Sequence, residues 1–430
     1  MLPMCAIPMA TNPRPSVTRP NEVQRILLYR CGISTTLLCR LDFVATAAMT
    51  RLPPIQVAHA GFSPKASQTQ SGASGFSILP IRAERVAEIS RDRIASAICF
   101  SPIRGDWKGA YSDKDSPKES KMKTYTLPHT DRPVSSVILG LMRIPKMSNA
   151  EIATLVGAAR DAGVNVFDHA DIYGGERHLC EQRFGEAVTF AAAERDAVVI
   201  QSKAGIRPGF FDFSEEHILR SVDGSLQALK TEYLDLLLLH RPDTLVEPEE
   251  VASAFDKLQA SGKVRHFGVS NQTPGQIALL KTAVKQPLVV NQVQLSITHA
   301  PLMAQGVAAN MAGLVQSIDR DNGLLEYSRI NNMMLQAWSP FQKKFFDGVF
   351  LGDRENFAEL NDAIDELAAQ YGVTPTGIAV AWITRHPANI QVVLGTTNPG
   401  RVKESAAGSA VPLTRQEWYR LFTAAGNVLP

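Results

Sequence analysis

Four ionisable residues of complementary chemistry follow one another along the chain: Asp168, Tyr173, Lys203 and His240. Asp168 follows the short apolar run VNVF, and Tyr173 stands five positions later, beside Gly174 and Gly175. Lys203 closes AVVIQSK, and His240 closes LDLLLLH. A phenol has a reference pKa of about 10, too high for easy proton donation near neutrality. An adjacent ammonium favours the phenolate and lowers that value. A carboxylate can hold the ammonium in place and keep it charged, and an imidazole can orient a carbonyl oxygen. In such a set Asp168 holds Lys203, Lys203 tunes Tyr173, and Tyr173 gives a proton to a carbonyl as hydride arrives. No nucleophile–base pair is required, so the set suits carbonyl reduction better than hydrolysis.

Singly, each residue has a plainer explanation. An Asp at a strand end is commonly a cap or turn residue. A Lys in that place is commonly a solvated loop charge, the His a structural one, and the Tyr a packing residue. The order of the four is what argues against coincidence, and it depends on the elements that carry them. From Met122 onward, β-like runs alternate with amphipathic helical patterns. The strand candidates are 136–142, 164–170, 197–203, 234–240, 266–271, 289–295, 334–339 and 391–397. In NAEIATLVGAARDAG, Ile152, Leu155, Val156 and Ala159 share one helix face, and Gly163 closes the helix as Gly262 closes a later one. LLLL at 236–239 and VVI at 198–200 are continuous apolar runs, as expected of strands covered on both faces. Eight strands with intervening helices over about 300 residues predict an α/β fold, the (β/α)8 TIM barrel. The competing open doubly wound sheet would carry a Gly-rich first turn if it bound a dinucleotide. Here the first strand is followed by RIPKMSNAE, and Walker A, HExxH and GxSxG motifs are missing as well.

In such a barrel, active-site groups stand at the C-terminal ends of the strands. The polar residues at those ends are Asp168 with Tyr173, Lys203, His240, Ser270-Asn271, Asn291-Gln292, Trp338-Ser339 and Thr396-Thr397, with Arg401 shortly after. Three other histidines read differently: His169 as structural, His178 as a surface or helix-start residue, and His299 as a weak candidate for the substrate pocket.

Composition limits the partners. Of 430 residues, 45% are apolar and 20% charged, with a net charge of +2, which gives no broad electrostatic reason to expect nucleic acid or a membrane surface. No apolar run is long enough to span a bilayer. The five cysteines show no CxxC spacing, so neither a metal nor a disulfide framework is expected, and a reducing, cytoplasmic setting is the default. Residues 1–121 differ in character, being Pro-rich and irregular with a flexible stretch at 63–77. They read as a disordered extension or as sequence upstream of the true start at Met122. Their Arg-rich, acid-poor opening also fits a transit signal, and a small independent domain is a further alternative.

At the four candidate residues the chain resembles the aldo-keto reductase family, over roughly residues 122–425. FDHADIYG is similar to the family's second-strand motif, QSKAG to the segment carrying its catalytic lysine, and LLLLHRPD to its strand-four motif. The resemblance implies a catalytic tetrad of Asp168, Tyr173, Lys203 and His240. It also implies an NADP(H) site. Ser270, Asn271 and Gln292 would hold the nicotinamide amide, with Trp338 stacking where many relatives carry Tyr. Ser339, Thr396 and Thr397 would lie along the cofactor, Arg401 at the 2′-phosphate and Glu404 at the adenine. GTTNPGRVKES resembles the family's phosphate-binding segment, where backbone N–H groups at a helix start would meet an anion. Gly395 replaces a lysine common in relatives, and Ser405 replaces an Asn. The GLMR and GTTNP segments look most like those of bacterial members.

The implied activity is NADPH-dependent reduction of small aldehydes or ketones by a monomer or small homo-oligomer. The alternative is a cofactor-binding subunit that works through a protein partner, which would bind NADP(H) without turnover. Substrate choice would rest on the loops after Met142, around Arg241-Pro242, at 296–325 and at 341–358. The last contains FQKKFFDGVF, whose phenylalanines would wall an apolar pocket or pack on the barrel.

Overall fold

The computed structural model describes residues 121–343 and 347–430. Residues 1–120 of the expected extension lie outside the described residues, as do Phe345 and Phe346. An antiparallel hairpin, β1 (Thr124–Thr126) and β2 (Pro133–Ser135), opens the described chain. Then come β3 (Val137–Gly140), β4 (Val166–Asp168) and β5 (Val199–Ala204). A second small hairpin, β6 (Ile206–Arg207) and β7 (Phe210–Phe211), follows β5. The remaining strands are β8 (Leu234–Leu239), β9 (Val264–Ser270), β10 (Leu288–Gln294), β11 (Met334–Trp338) and β12 (Gln391–Leu394).

Strands β3, β4, β5, β8, β9, β10, β11 and β12 pair in parallel in chain order, and β12 returns to β3 to close the barrel. All eight predicted strands are therefore present; β3, β4 and β12 are three or four residues shorter than the sequence suggests, and the others agree to within a residue in length. The helices between them include α1 (Asn149–Asp161), α2 (Leu179–Ala187), α3 (Ala192–Ala197), α4 (Glu215–Leu229), α5 (Pro248–Ala260) and α6 (Pro274–Leu280). The expected loop at 296–325 contains α7 (Pro301–Val307) and the start of α8 (Leu324–Ile330). Helices α9 (Ala358–Tyr371), α10 (Pro375–Thr384), α11 (Pro399–Gly408) and α12 (Arg415–Ala424) complete the chain. Helix α1 begins where Ser148 and Glu151 form a reciprocal capping box, and it buries the predicted Ile152, Leu155, Val156 and Ala159. Gly163 and Gly262 both take positive φ just past helix ends, as their assignment as stop signals requires.

Side-chain alternation along the strands builds two apolar clusters. Val137, Leu139, Phe167, Ile200, Leu237, Leu239, Leu335 and Val392 point outward under the helices. Ile138, Val166, Val199, Leu236, Leu238, Val290, Met334 and Val393 point inward and meet Leu127 and Val134 of the hairpin region. Two residues further along the inner face, the chemistry changes. Val166 is followed by Asp168, Val199 by Gln201 and Lys203, Leu238 by His240, Val290 by Gln292, and Met334 by Gln336. The interior thus grades from an apolar floor to a polar upper layer at the C-terminal strand ends.

Helices α10 and α11 approach closely enough that a Cβ on Gly408 would collide with the backbone of Gly377. Gly408→Ala is expected to destabilise the protein by about 1–3 kcal/mol through overpacking. A lower urea midpoint at unchanged m-value is the checking measurement.

Candidate active site

The β4 strand ends on Asp168, and the next turn carries Tyr173. Gly174 and Gly175 follow with φ of +100° and +94°, a path that L side chains rarely adopt. This explains the paired glycines, since a Cβ on Gly174 would also press on Pro145, Leu179 and Cys180. Lys203 comes from the neighbouring β5, and His240 lies just past β8. Lys203 Nζ lies 2.7 Å from both Asp168 carboxylate oxygens, 2.8 Å from the His169 carbonyl oxygen and 3.0 Å from Tyr173 Oη. The rings of Tyr173 and His240 meet edge to face at 5.7 Å. All four residues named from the sequence therefore converge.

Burial alone would lower the Lys203 pKa, but the Asp168 carboxylate and the Tyr173 oxygen outweigh it and hold the ammonium above its usual value. Tyr173 corrects the sequence expectation. Burial raises its pKa more than the nearby Lys203 charge lowers it, so the phenol titrates above its ordinary value rather than below. His240 is pushed well below its usual value, first by burial and then by Lys203 and Arg241, and is neutral near pH 7. His169 points to the outer side of β4, where its ring meets Phe184 edge-on at 4.7 Å, in keeping with a structural role. His178 starts α2 and bonds Glu181 through Nδ1.

Asp168 has further partners that the sequence reading missed. Gln201 donates an amide N–H to Asp168 Oδ1, and Gln292 Nε2 donates to the same oxygen at 3.0 Å. Both amides also donate to Gln336 Oε1 at 3.0 Å, and Gln336 donates in turn to Gln201 and Gln391 at 3.0 Å. Registers Asp168↔Gln201, Gln292↔Gln336 and Gln336↔Gln391 align these side chains in one layer. The available signal was a glutamine at the inward alternation of four of the strands, at Gln201, Gln292, Gln336 and Gln391.

A cavity of about 750 Å³ opens above this layer. Its wall includes Asp168, Tyr173, His240, Ser270, Asn271, Gln292, Trp338, Ser339, Thr396, Thr397 and Arg401. Lys203 lies beneath the wall, and Glu404 does not line the cavity. Ser270 Oγ donates to the Gln292 carbonyl oxygen at 2.9 Å, Asn271 Nδ2 donates to Ser270 Oγ at 2.7 Å, and Trp338 Nε1 donates to Asn271 Oδ1 at 3.0 Å. Asn271 and Ser339 both hold positive φ, a strained setting for Ser that recurs at ligand-binding strand ends. At the start of α11 the expected free N–H groups are engaged, because Asn398 Oδ1 accepts from Gly400 N and Arg401 N. Opposite Gly395, which lacks a side chain, Arg143 Nη1 donates to the Gly395 carbonyl oxygen at 2.8 Å and brings a cation to the wall. Phe341 also lines this cavity, whereas Phe350 is fully buried. His299 lines a smaller, adjoining cavity.

A model of the Aldo/keto reductase family matches residues 136–424. The chain is 35% identical to oxidoreductase YdhF of Escherichia coli over 302 residues, covering 68% of this chain and 93% of that protein. It is 34% identical to a 6-dehydroglucose reductase of Agrobacterium fabrum, covering 68% of this chain and 94% of that protein. In fold it is similar to a Klebsiella pneumoniae aldo/keto reductase crystallised with NADP and acetate, with a TM-score of 0.55 and 23% identity over 70% of this chain and 94% of that one. Among the described residues, no helix is long and apolar enough to cross a membrane.

The buried His169 and His217 and the half-buried His386 all have pKa values pushed down to about 4, each chiefly by desolvation. The unfolded chain takes up these protons near pH 6.5, whereas the folded chain holds the rings neutral down to about 4. Stability, complete above the unfolded value, is therefore expected to fall as pH drops through that window, by roughly 2–3 kcal/mol for a fully buried ring. Urea midpoints measured from pH 7.5 to 4.5 should show this slope, and His169→Leu should make it shallower while His217 and His386 keep the rest.

Proposed function

This chain belongs to the Aldo/keto reductase family, and we propose that it is an NADP(H)-dependent reductase converting aldehyde or ketone carbonyls to alcohols, with Tyr173 as proton donor. The observation that carries this reading is the phenol oxygen 3.0 Å from a buried ammonium that Asp168 holds at 2.7 Å, all beside a large cavity.

The donor set fits the cofactor. At one end of the wall, Ser270, Asn271 and Gln292 offer amide and hydroxyl groups beside the Trp338 ring. Both of the Gln292 amide hydrogens go to Asp168 and Gln336, which leaves Oε1 to accept from a carboxamide. On the same wall, Ser339, Thr396, Thr397 and the guanidinium of Arg401 suit phosphates. Arg143 stands against Gly395 and supplies the cation that this position lacks. Glu404 is assigned to the adenine side by family resemblance alone. When bound, NADPH supplies hydride to the carbonyl carbon.

The chain's residues manage the proton. The raised phenol pKa keeps the proton on Tyr173 Oη until the carbonyl oxygen gains charge. Oη then donates that proton, and the Lys203 ammonium stabilises the phenolate left behind. Asp168 keeps the ammonium charged and directed at Oη. Neutral His240, on the same wall, orients the carbonyl oxygen by hydrogen bonding. The catalytic unit is residues 122–430. A cytoplasmic location is assigned from the cysteine spacing alone, which offers no CxxC pair.

Carbonyl-dependent NADPH oxidation should be measured against a panel of aldehydes and ketones. Tyr173→Phe is expected to lower kcat by about 10²-fold or more while NADPH binding, followed by fluorescence, stays within about twofold. Binding without turnover by the parent protein would overturn the reading and favour a non-catalytic subunit. Arg401→Ala and Arg143→Ala should each weaken NADPH binding about tenfold, and NADH binding less in the case of Arg401. The 122–430 fragment should bind NADPH as the full chain does.

A further inference from the structure

The turn that carries Tyr173 has little rigidity of its own. Gly174 and Gly175 follow the phenol at positive φ, and glycine is the residue with the freest backbone. Yet Tyr173 Oη has to stay 3.0 Å from Lys203 Nζ, because drift of about 1 Å in a reacting group can cost about 10²-fold in rate. Asp171, two positions before the phenol, meets this need. Its N–H donates to the Lys203 carbonyl oxygen at 3.1 Å, beyond the end of β4, and its own carbonyl oxygen accepts from His178 N at 2.6 Å. Its side chain is fully buried. There Oδ2 accepts from the Ser221 hydroxyl, in the middle of α4, and from Arg177 Nη2 at 3.3 Å. Arg177 Nη2 also donates to Ser221 Oγ at 3.1 Å, which closes a triangle. Arg177 and His178 lie just past the glycine pair, so Asp171 gathers both ends of the Tyr173 turn.

We propose that Asp171 is a positioning residue for the proton transfer, its carboxylate clamped by Ser221 and Arg177 so that the turn holds the Tyr173 hydroxyl at Lys203; the inference rests on the reductase reading above. The carboxylate acts through the main chain, since its bonds go to α4 and to Arg177 and it does not line the catalytic cavity. One oxygen does the work, because Oδ1 has no partner in the chain. The clamp therefore requires a single acceptor at the Oδ2 position. Asn supplies that acceptor and Ala does not. Without it, the Ser221 hydroxyl and the Arg177 N–H lose their common partner and the turn is released from α4.

The full chain is compared with Asp171→Ala, Asp171→Asn and Ser221→Ala, using NADPH and the aldehyde of the panel above that the parent reduces fastest. Asp171→Ala is expected to lower kcat about tenfold while the Kd for NADPH, read by fluorescence, stays within about twofold. Ser221→Ala should lower kcat about threefold and keeps the test valid if Asp171→Ala fails to fold. Asp171→Asn should keep kcat within about twofold of the parent even where its urea midpoint falls. In a Tyr173→Phe background, Asp171→Ala should change kcat by less than about twofold, because no hydroxyl is left to position. Parental kcat in Asp171→Ala and Ser221→Ala, an Asp171→Asn as slow as Asp171→Ala, or an undiminished loss in the Tyr173→Phe background overturns the positioning role and leaves the reductase reading intact. A parent that reduces no member of the panel overturns both.

Discussion

The site depends on a buried ammonium. Lys203 is 1% exposed, in the middle of a barrel whose floor is apolar. Taking such a charge out of water costs several kcal/mol unless oxygens replace the lost hydration. Four oxygens do so here, two from Asp168, one from the His169 carbonyl and one from Tyr173. Asp168 is equally buried and must be satisfied in turn, so it also draws on the amides of Gln201 and Gln292. The phenol is held against a cation because the cation needs its oxygen.

That requirement spreads around the barrel. A glutamine that donates to Asp168 has an oxygen and a second hydrogen to satisfy, and inside a barrel only another inward side chain can meet them. Gln336 joins Gln201 and Gln292, and Gln391 extends the layer until its Nε2 reaches the Ser135 carbonyl oxygen at 2.6 Å. Strands from distant parts of the chain are thus tied by side-chain amides as well as by their backbone ladders. The polar layer separates an apolar floor, which stabilises the fold, from an open upper end, where the chemistry is placed.

The electrostatics follow from the same burial. Desolvation keeps the Tyr173 proton in place and His240 neutral, while Lys203 stays charged because Asp168 is in contact with it. One protonated phenol, one neutral imidazole and one fixed cation arise from a single low-dielectric pocket with different neighbours. Above it, loops contribute Arg143 and Arg241 and the end of β11 contributes Trp338, and these shape what can approach the phenol.

Much of this was legible in the sequence. Strand alternation and continuous apolar runs give the barrel, because side chains alternate strictly along a strand and eight helix-linked parallel strands close in one common way. The same rule places Asp168, Lys203 and His240 at one end, and the glycine pair after Tyr173 marks its turn. The glutamine layer was not legible, because Gln201 and Gln336 lie 135 positions apart and meet only when the barrel closes. Nor was the direction of the Tyr173 shift, since the sequence shows the neighbouring cation but not the depth of burial that outweighs it. Arg143 reaching Gly395, Asn398 covering the α11 start and Glu404 standing off the cavity wall depend likewise on loop paths. The sequence by itself determined the order of the chemistry along the chain, because that order is local. Only the tertiary structure decided which groups share solvent exclusion and contact, because those depend on register and closure across the whole barrel.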